Sequence, residues 1–245
     1  MILFLASGFS ILVLITFFSP RTSHFLREKN LQDWIIDSSN LFVQGTLIPL
    51  IQIYVLYKVM EVVAPNHKGS IDIPLAASFL MNFILVDYLY YWNHRILHKK
   101  NLLPIHIVHH TAKRMDVLAT SRNTLWSSFF IVYLWINALI IYTLKDPTGY
   151  IFAATLTAVL DCWRHSMVFN KKYQKTVSKY LGLITPIDHA WHHSLKLNHN
   201  FGANLNLFDR LHGTYLYKDD YPETLGVQTK LNTFQKLFNP FASKN

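Results

Sequence analysis

Two five-residue segments, HIVHH at residues 106–110 and HAWHH at residues 189–193, share the spacing H-x-x-H-H. A third pair, His94 and His98, is spaced H-x-x-x-H, and His165 stands by itself in DCWRHSMV. On a helix, positions i, i+3 and i+4 share one face at roughly 5–6 Å. His94 and His98 therefore converge, as does His106 with His109 or with His110. Neighbours such as His109 and His110 point about 100° apart, which suits a site with two metal ions served by adjacent imidazoles. The candidate ligand set is His94, His98, His106, His109, His110, His165, His189, His192 and His193, and all-imidazole ligation suits iron, copper or zinc.

Other metal and catalytic designs are excluded. Carboxylate di-iron bundles use Glu-x-x-His on their helices, whereas this chain has glutamate only at Glu28, Glu61 and Glu223 and no such pair. H-E-x-x-H is absent, which removes the zincin proteases. The single cysteine, Cys162, permits neither an intrachain disulfide nor a cysteine-based zinc site. Uncharged imidazoles leave metal charge uncompensated, so acids behind the ligands are expected, with Asp87, Asp116 and Asp188 close in sequence. Asp87 and Asp188 are read as assisting catalysis, although each is equally an ordinary cap or interface charge. His24, His67 and His212 read as polar tips at an interface, and His199 is left open.

These histidines must be positioned by membrane-sized elements. The 245 residues are 51% hydrophobic, and the apolar residues come in long blocks, which points to an integral membrane protein. Expected spans are 1–19, 41–63, 72–92, 124–144 and the more mixed 149–168. Lys145 to Gly149 form a polar break between the last two. The first segment lacks a basic leader region and reads as a retained span rather than a signal peptide. Threading the spans places every lysine and arginine except Lys58, Lys68 and Lys145 on one side, and such asymmetry marks the cytoplasm. The net charge of +9 is then a topology signal plus attraction to anionic lipid; no nucleic-acid module is present. All three histidine clusters fall on that cytoplasmic side.

The expected fold class is thus an all-α integral membrane protein. It would have four to five transmembrane helices and a cytoplasmic helical cap that holds a histidine-rich dinuclear metal site. Residues 1–70 read as N-terminal spans, 71–220 as the catalytic domain and 221–245 as a peripheral C-terminal tail.

The ordered set of motifs resembles the fatty acid hydroxylase/sterol desaturase superfamily of integral-membrane, histidine-rich di-iron oxygenases. The resemblance runs over roughly residues 75–218. It comprises D-x-x-x-Y-W-x-H-R-x-x-H from Asp87 to His98, H-x-x-H-H from His106 to His110, His165-Ser166, and P-x-x-H-x-x-H-H from Pro186 to His193. NHNFGANLNLFDRLHGTY is similar to the closing signature of that superfamily, with Phe201 in place of the usual tyrosine and Asn198 where aspartate is common. The resemblance implies two iron ions, O₂ as co-substrate, and hydroxylation or desaturation of a lipid reached from within the membrane.

The chain offers no dinucleotide fingerprint and no c-type haem or iron–sulfur motif. Electrons are therefore expected from a separate cytochrome b5-, ferredoxin- or reductase-like carrier docking on the basic face. A bacterial inner membrane or endoplasmic reticulum is the expected location. The choice among fatty acyl, sterol and related lipids stays open, as does the oligomeric state. A metal binder or transporter, or an inactive scaffold, would use the same histidines differently.

Overall fold

The computed structural model describes residues 2–19, 22–168, 170–195 and 197–244. Met1, at the head of the first expected span, lies outside them, as do Arg21 and Lys196 of the basic set. Among the described residues the regular structure is helical, and the only strand-like pairings are isolated bridges, Ile71 with Leu144 and Leu183 with Leu205. The principal helices are α1 (Ile2–Phe18), α2 (Leu31–Val63), α3 (Leu75–Leu97), α4 (Leu103–Ile107), α5 (Val132–Thr143), α6 (Thr148–Arg164), α7 (Lys171–Leu181) and α8 (Pro186–His192).

Two of these, α2 and α3, are long and apolar enough to cross a membrane, whereas the apolar segment Ser7–Phe18 of α1 and the whole of α5 are shorter. Helix α2 is not the core helix of a soluble protein, because only 6% of its apolar window is buried. Ile53, Tyr54, Val62 and Val63 all face outward. An apolar surface of that extent is costly in water and suits lipid. Pro49 lacks an amide donor and crowds the carbonyl of residue 45. The helix accommodates it with wider, π-type turns at Val43–Leu47 and Gln52–Leu56.

The expected boundaries shift for identifiable reasons. The span placed at 41–63 starts ten residues earlier, where Asn30 caps Leu31–Phe42 by accepting from the Asp33 amide. The span placed at 72–92 runs on through Leu97 and so carries His94 within it. The span placed at 124–144 is cut to Val132–Thr143. Its first third contains Thr124, Ser127 and Ser128, all buried, and this stretch is tied to the C-terminal segment, with the Leu125 amide and Trp126 Nε1 donating to the Leu237 and Phe238 carbonyls.

Helices α2 and α5 lead away from the histidine end of the bundle, and α3 and α6 return to it. At the far end the two connections meet, with the Gly69 amide donating to the Tyr142 carbonyl and the Lys145 amide to that of Ile71. Lys58 and Lys68 pair there with Glu61, and Lys145 with Asp72. The three basic residues set apart by threading the spans are therefore grouped away from the histidines.

The return helices touch backbone to backbone. A Cβ at Gly149 would sit 2.2 Å from the Leu75 carbonyl oxygen and 2.5 Å from Ser78 Oγ, so only glycine lets α6 start against α3. Helix α1 lies on α6, with Gly8 against Val159.

The C-terminal stretch expected to be peripheral is instead packed in. The Gly226 and Val227 amides donate to the carbonyls of His193 and His110, and Leu237 is buried with Ile36 and Val108. Its polar composition hides this, because the docking uses backbone groups and two isolated leucines, Leu231 and Leu237.

Gly149→Ala is expected to lower stability in detergent by about 1–3 kcal/mol, the usual cost of overpacking. Gly45→Ala, whose Cβ would meet nothing within 4 Å, is expected to leave stability intact. Thermal unfolding of the two variants checks the contrast, and equal midpoints would contradict the close α3–α6 approach.

Candidate metal centre

Each candidate histidine sits where a helix ends. His94 lies in the last turn of α3 and His98 is the residue that caps it. His106 lies in α4, and His109 and His110 follow in a 3₁₀ turn. His165 caps α6, and His193 caps α8 after His189 and His192. Helix α8 is started firmly: Thr185 and Asp188 form a reciprocal capping box with Pro186 in the first turn.

All nine histidines come together, in two groups. His94, His98, His106, His110 and His192 form one; His109, His165, His189 and His193 form the other. Within each group one nitrogen per ring lies within 4.8 Å of every other. The two H-x-x-H-H segments divide in a crossed manner. The first gives its i, i+4 pair, His106 and His110, to the group of five and His109 to the group of four. The second gives His189 and His193 to the group of four and His192 to the group of five. The groups abut, with the His110 and His193 rings 4.7 Å apart between centroids.

The protonation pattern follows from what the outer ring nitrogens touch. Nδ1 of His94 donates to the Phe201 carbonyl (2.8 Å), that of His109 to Arg122 (3.0 Å), that of His165 to Asp161 (2.9 Å) and that of His192 to His199 (2.7 Å). A carbonyl only accepts, so these Nδ1 atoms hold the proton and each neutral Nε2 presents a lone pair inward. His109 and His165 then aim two lone pairs at each other across 3.4 Å. The His192 Nε2 is buried without a partner among the described residues. Inward lone pairs at such spacing repel unless a cation lies between them.

That cation is not a proton at neutral pH. Burial holds His109 at about 3 and His98 at about 2, with neighbouring imidazoles adding to the effect. It also keeps His106, His110, His189, His192 and His193 well below the ordinary histidine value. The donor set therefore fits metal ions, one group per ion.

Residues 79–214 match the sequence pattern of the fatty acid hydroxylase family. The chain belongs to that family. Among curated proteins it is similar to an ornithine lipid hydroxylase, OlsE, of Rhizobium tropici, at 29% identity over 73% of this chain and 55% of that protein. It is also similar to the alkylglycerol monooxygenases of Xenopus tropicalis, at 24% identity over 69% of this chain and 38% of that one, and of Homo sapiens, at 23% over 63% and 34%. The chain thus spans about half or less of the length of these relatives. No solved structure matches it.

In this member of the fatty acid hydroxylase family, the acids expected behind the ligands bond groups other than imidazoles. Asp87 accepts from the amides of Asn204 and Leu205 and so ties α3 to the closing loop. Asp188 accepts from Thr185 and from the Tyr215 hydroxyl. Asp116 caps the turn at Val117–Ala119 and pairs with Lys29. None of the three bonds an imidazole. Backbone carbonyls orient the rings, and the carboxylate beside a ring is Asp161, 3.5 Å from His165 Nδ1. Asp161 lies four residues before His165, a helical spacing that could have revealed it.

The carbonyl donors are themselves pinned. Asp209 accepts from the amides of Phe201 and Gly202 and from Thr214 Oγ1, which explains the use of the D-R-x-x-G-T-Y segment. Arg122, whose carbonyl orients His109, is buried in an ion cluster with Asp33, Asp37, Lys29 and Asp116. His199 contributes its carbonyl and belongs to neither ring group. The His212 ring lies in a nest of Tyr88, Tyr91 and Trp92.

Two outcomes follow from the charges. Below pH 6.5 the histidines of an unfolded chain take up protons, whereas folded His109 does so only near 3. The unfolded state then binds more protons, so metal-free protein loses stability progressively from about pH 6.5 downward, by about 1.4 kcal/mol per pH unit for each such histidine. Unfolding midpoints of metal-stripped protein at neutral and mildly acidic pH test this; identical midpoints would contradict it. Asp37→Ala strips buried Arg122 and Lys29 of a shared partner and is expected to cost about 3 kcal/mol, read by chemical denaturation in detergent.

Proposed function

We propose that this chain is a membrane-bound di-iron oxygenase that hydroxylates a lipid, using O₂ and electrons from a separate carrier. The observation that carries the reading is the crossed pair of imidazole groups, with ring nitrogens aimed inward in a chain of the fatty acid hydroxylase family. The names of the curated relatives, hydroxylase and monooxygenase, favour hydroxylation over desaturation. His94, His98, His106, His110 and His192 would hold one iron, and His109, His165, His189 and His193 the other. When bound, the iron pair supplies activation of O₂ and the oxidising power needed against an unactivated C–H bond.

The protein's own groups do the rest. Backbone carbonyls from Phe201, Arg122, Asp161 and His199 fix ring orientation and keep each Nδ1 protonated, so that Nε2 is free to ligate. Burial keeps the rings neutral, and a water-poor surround protects a reactive oxidant from wasteful quenching. The apolar outer faces of α2 and α3 keep the protein in the phase where lipid substrate resides. The excess of lysine and arginine around the histidine end favours a cytoplasmic orientation and a docking face for an acidic electron carrier.

Purified protein reconstituted with iron is expected to hold about two ions per chain and to convert membrane lipid in a reaction that needs both O₂ and reductant. His109→Ala and His192→Ala each remove a ligand from a different group and are expected to abolish turnover while membrane insertion persists. Metal analysis and mass spectrometry of lipid products from cells with and without the protein test the reading together. Iron content near zero, or full turnover in either variant, would sink it.

A further inference from the structure

Between the start of α2, the residues after His110 and the C-terminal stretch lies a polar cavity of about 290 Å³. Among the described residues, no histidine lines it. Its walls include Asn30, Gln32 and Asp33 at the start of α2, then Thr111 and Lys113, and Lys236 of a short C-terminal helix, α9 (Thr233–Phe238).

Lys236 is out of place there. A lysine is rarely buried unless a carboxylate pairs with it. This one is only 8% exposed, and among the described residues its ammonium bonds Gln32 Oε1 alone, at 3.1 Å. An ammonium has three donors, so two are uncommitted. Lys113 is exposed and has no ion pair among the described residues. The nearby carboxylates are engaged: Arg122 holds Asp33 at 2.9 Å, Arg122 and Lys29 share Asp37, and Lys29 reaches Asp116. Those three acids exceed their two cations by one negative charge, whereas Lys113 and Lys236 bring two positive ones. One positive charge is left over around the cavity. Burial lowers the Lys236 pKa, Arg122 and Lys113 add to the effect, and Asp33 and Asp37 offset it only in part.

The surroundings indicate where a balancing anion comes from. Leu31, between the lining residues Asn30 and Gln32, is 75% exposed. The outward apolar stripe that it begins continues through Ile35 and Phe42 along α2, the helix long and apolar enough to cross a membrane. Gln32 also donates to Thr233 at the start of α9, whose Phe234 and Phe238 are exposed with their rings 5.1 Å apart. Trp126 donates its indole N–H to the Phe238 carbonyl. Aromatic side chains gather at the level of lipid headgroups, so the cavity sits where apolar surface gives way to polar surface.

We infer that this cavity binds the phosphodiester group of a phospholipid, held by Lys236 and Lys113, with the acyl chains against Leu31 and Phe234. A phosphodiester carries the single negative charge that the site lacks, and its oxygens accept from both ammonium groups. The lipid is a fixed brace rather than material for the metal centre, and the inference is independent of what that centre does. Val227 lines the same cavity and donates its amide to the His110 carbonyl, so an occupied site steadies the segment that carries His109 and His110.

The test follows the thermal unfolding midpoint of the full chain in maltoside detergent as dioleoyl phosphatidylglycerol, dioleoylglycerol or inorganic phosphate is added. Phosphatidylglycerol is expected to raise the wild-type midpoint with a saturating dependence. Dioleoylglycerol, which keeps the chains and lacks the phosphate, is expected to leave it unchanged. Lys236→Met is expected to need about tenfold more phosphatidylglycerol for half the effect, the loss of a hydrogen bond to a charged group. Lys113→Ala, at an exposed position, is expected to shift the dependence the same way by about threefold. Lys172→Ala, an exposed lysine outside the cavity, is expected to change nothing, which separates a built site from general attraction of anionic lipid to a basic surface. A wild-type response in Lys236→Met, or in Lys113→Ala should Lys236→Met not fold, overturns the site. Equal stabilisation by dioleoylglycerol removes the phosphate and equal stabilisation by inorganic phosphate removes the lipid; either result overturns the inference. A loss in Lys172→Ala as large as that in Lys236→Met does the same.

Discussion

Everything in this structure depends on one electrostatic demand: several neutral imidazoles must point lone pairs at one another in a buried space. His109 and His165 do so across 3.4 Å, each with its proton committed to a carbonyl on the other side of the ring. Without a cation that arrangement is repulsive, and protonation is opposed by burial. The fold therefore has to supply enough cohesion elsewhere to hold the rings inward. It does so with the α3–α6 backbone contact at Gly149, the capping box that starts α8, and the buried ions around Arg122.

The chemistry of the site was far more legible in the sequence than its support. Histidine spacing exposes itself because imidazole ligands need a shared face, and i, i+4 geometry survives even where α4 passes into a 3₁₀ turn before His110. The partition between groups was not legible, because His106 could have paired with either His109 or His110 on spacing grounds. Helices were read correctly in outline, two of them long and apolar enough to cross a membrane, but their ends were not. Hydropathy does not see that Leu125 and Trp126 bond the carbonyls of Leu237 and Phe238, or that α3 continues past its apolar stretch to carry His94. The docking of the C-terminal stretch was invisible for a related reason: amides that bond the His110 and His193 carbonyls leave no trace in side-chain pattern.

The acids expected behind the ligands are engaged with groups other than the imidazoles. Asp87, Asp188 and Asp209 all lie near the histidines in sequence or space, yet each is consumed in accepting amides or hydroxyls that close the loops around the site. In a low-dielectric surround, a carboxylate that bonds two amides is well matched, whereas one left facing an imidazole must be balanced by further charge. Carbonyl orientation avoids adding charge. It leaves Asp161 as the carboxylate beside a ring, and Arg164 is paired to it.

The crossed use of the two H-x-x-H-H segments has a mechanical consequence. His109 and His110 are consecutive residues serving different groups, and so are His192 and His193. Neither group can therefore open by moving one segment alone: a shift of residues 106–110 that relaxes the group of five drags His109 out of the group of four. A shift of 189–193 does the reverse. Two ions bound in this frame would together clamp four helix ends, those of α3, α4, α6 and α8, with α4 and α8 serving both. Each ion's hold on the segments favours the geometry the other needs, because binding to an ordered site contributes directly to folding. A duplicated spacing with no surrounding repeat is what such interlocking requires: each segment supplies a pair to one group and a single ring to the other, and neither copy is complete without its counterpart.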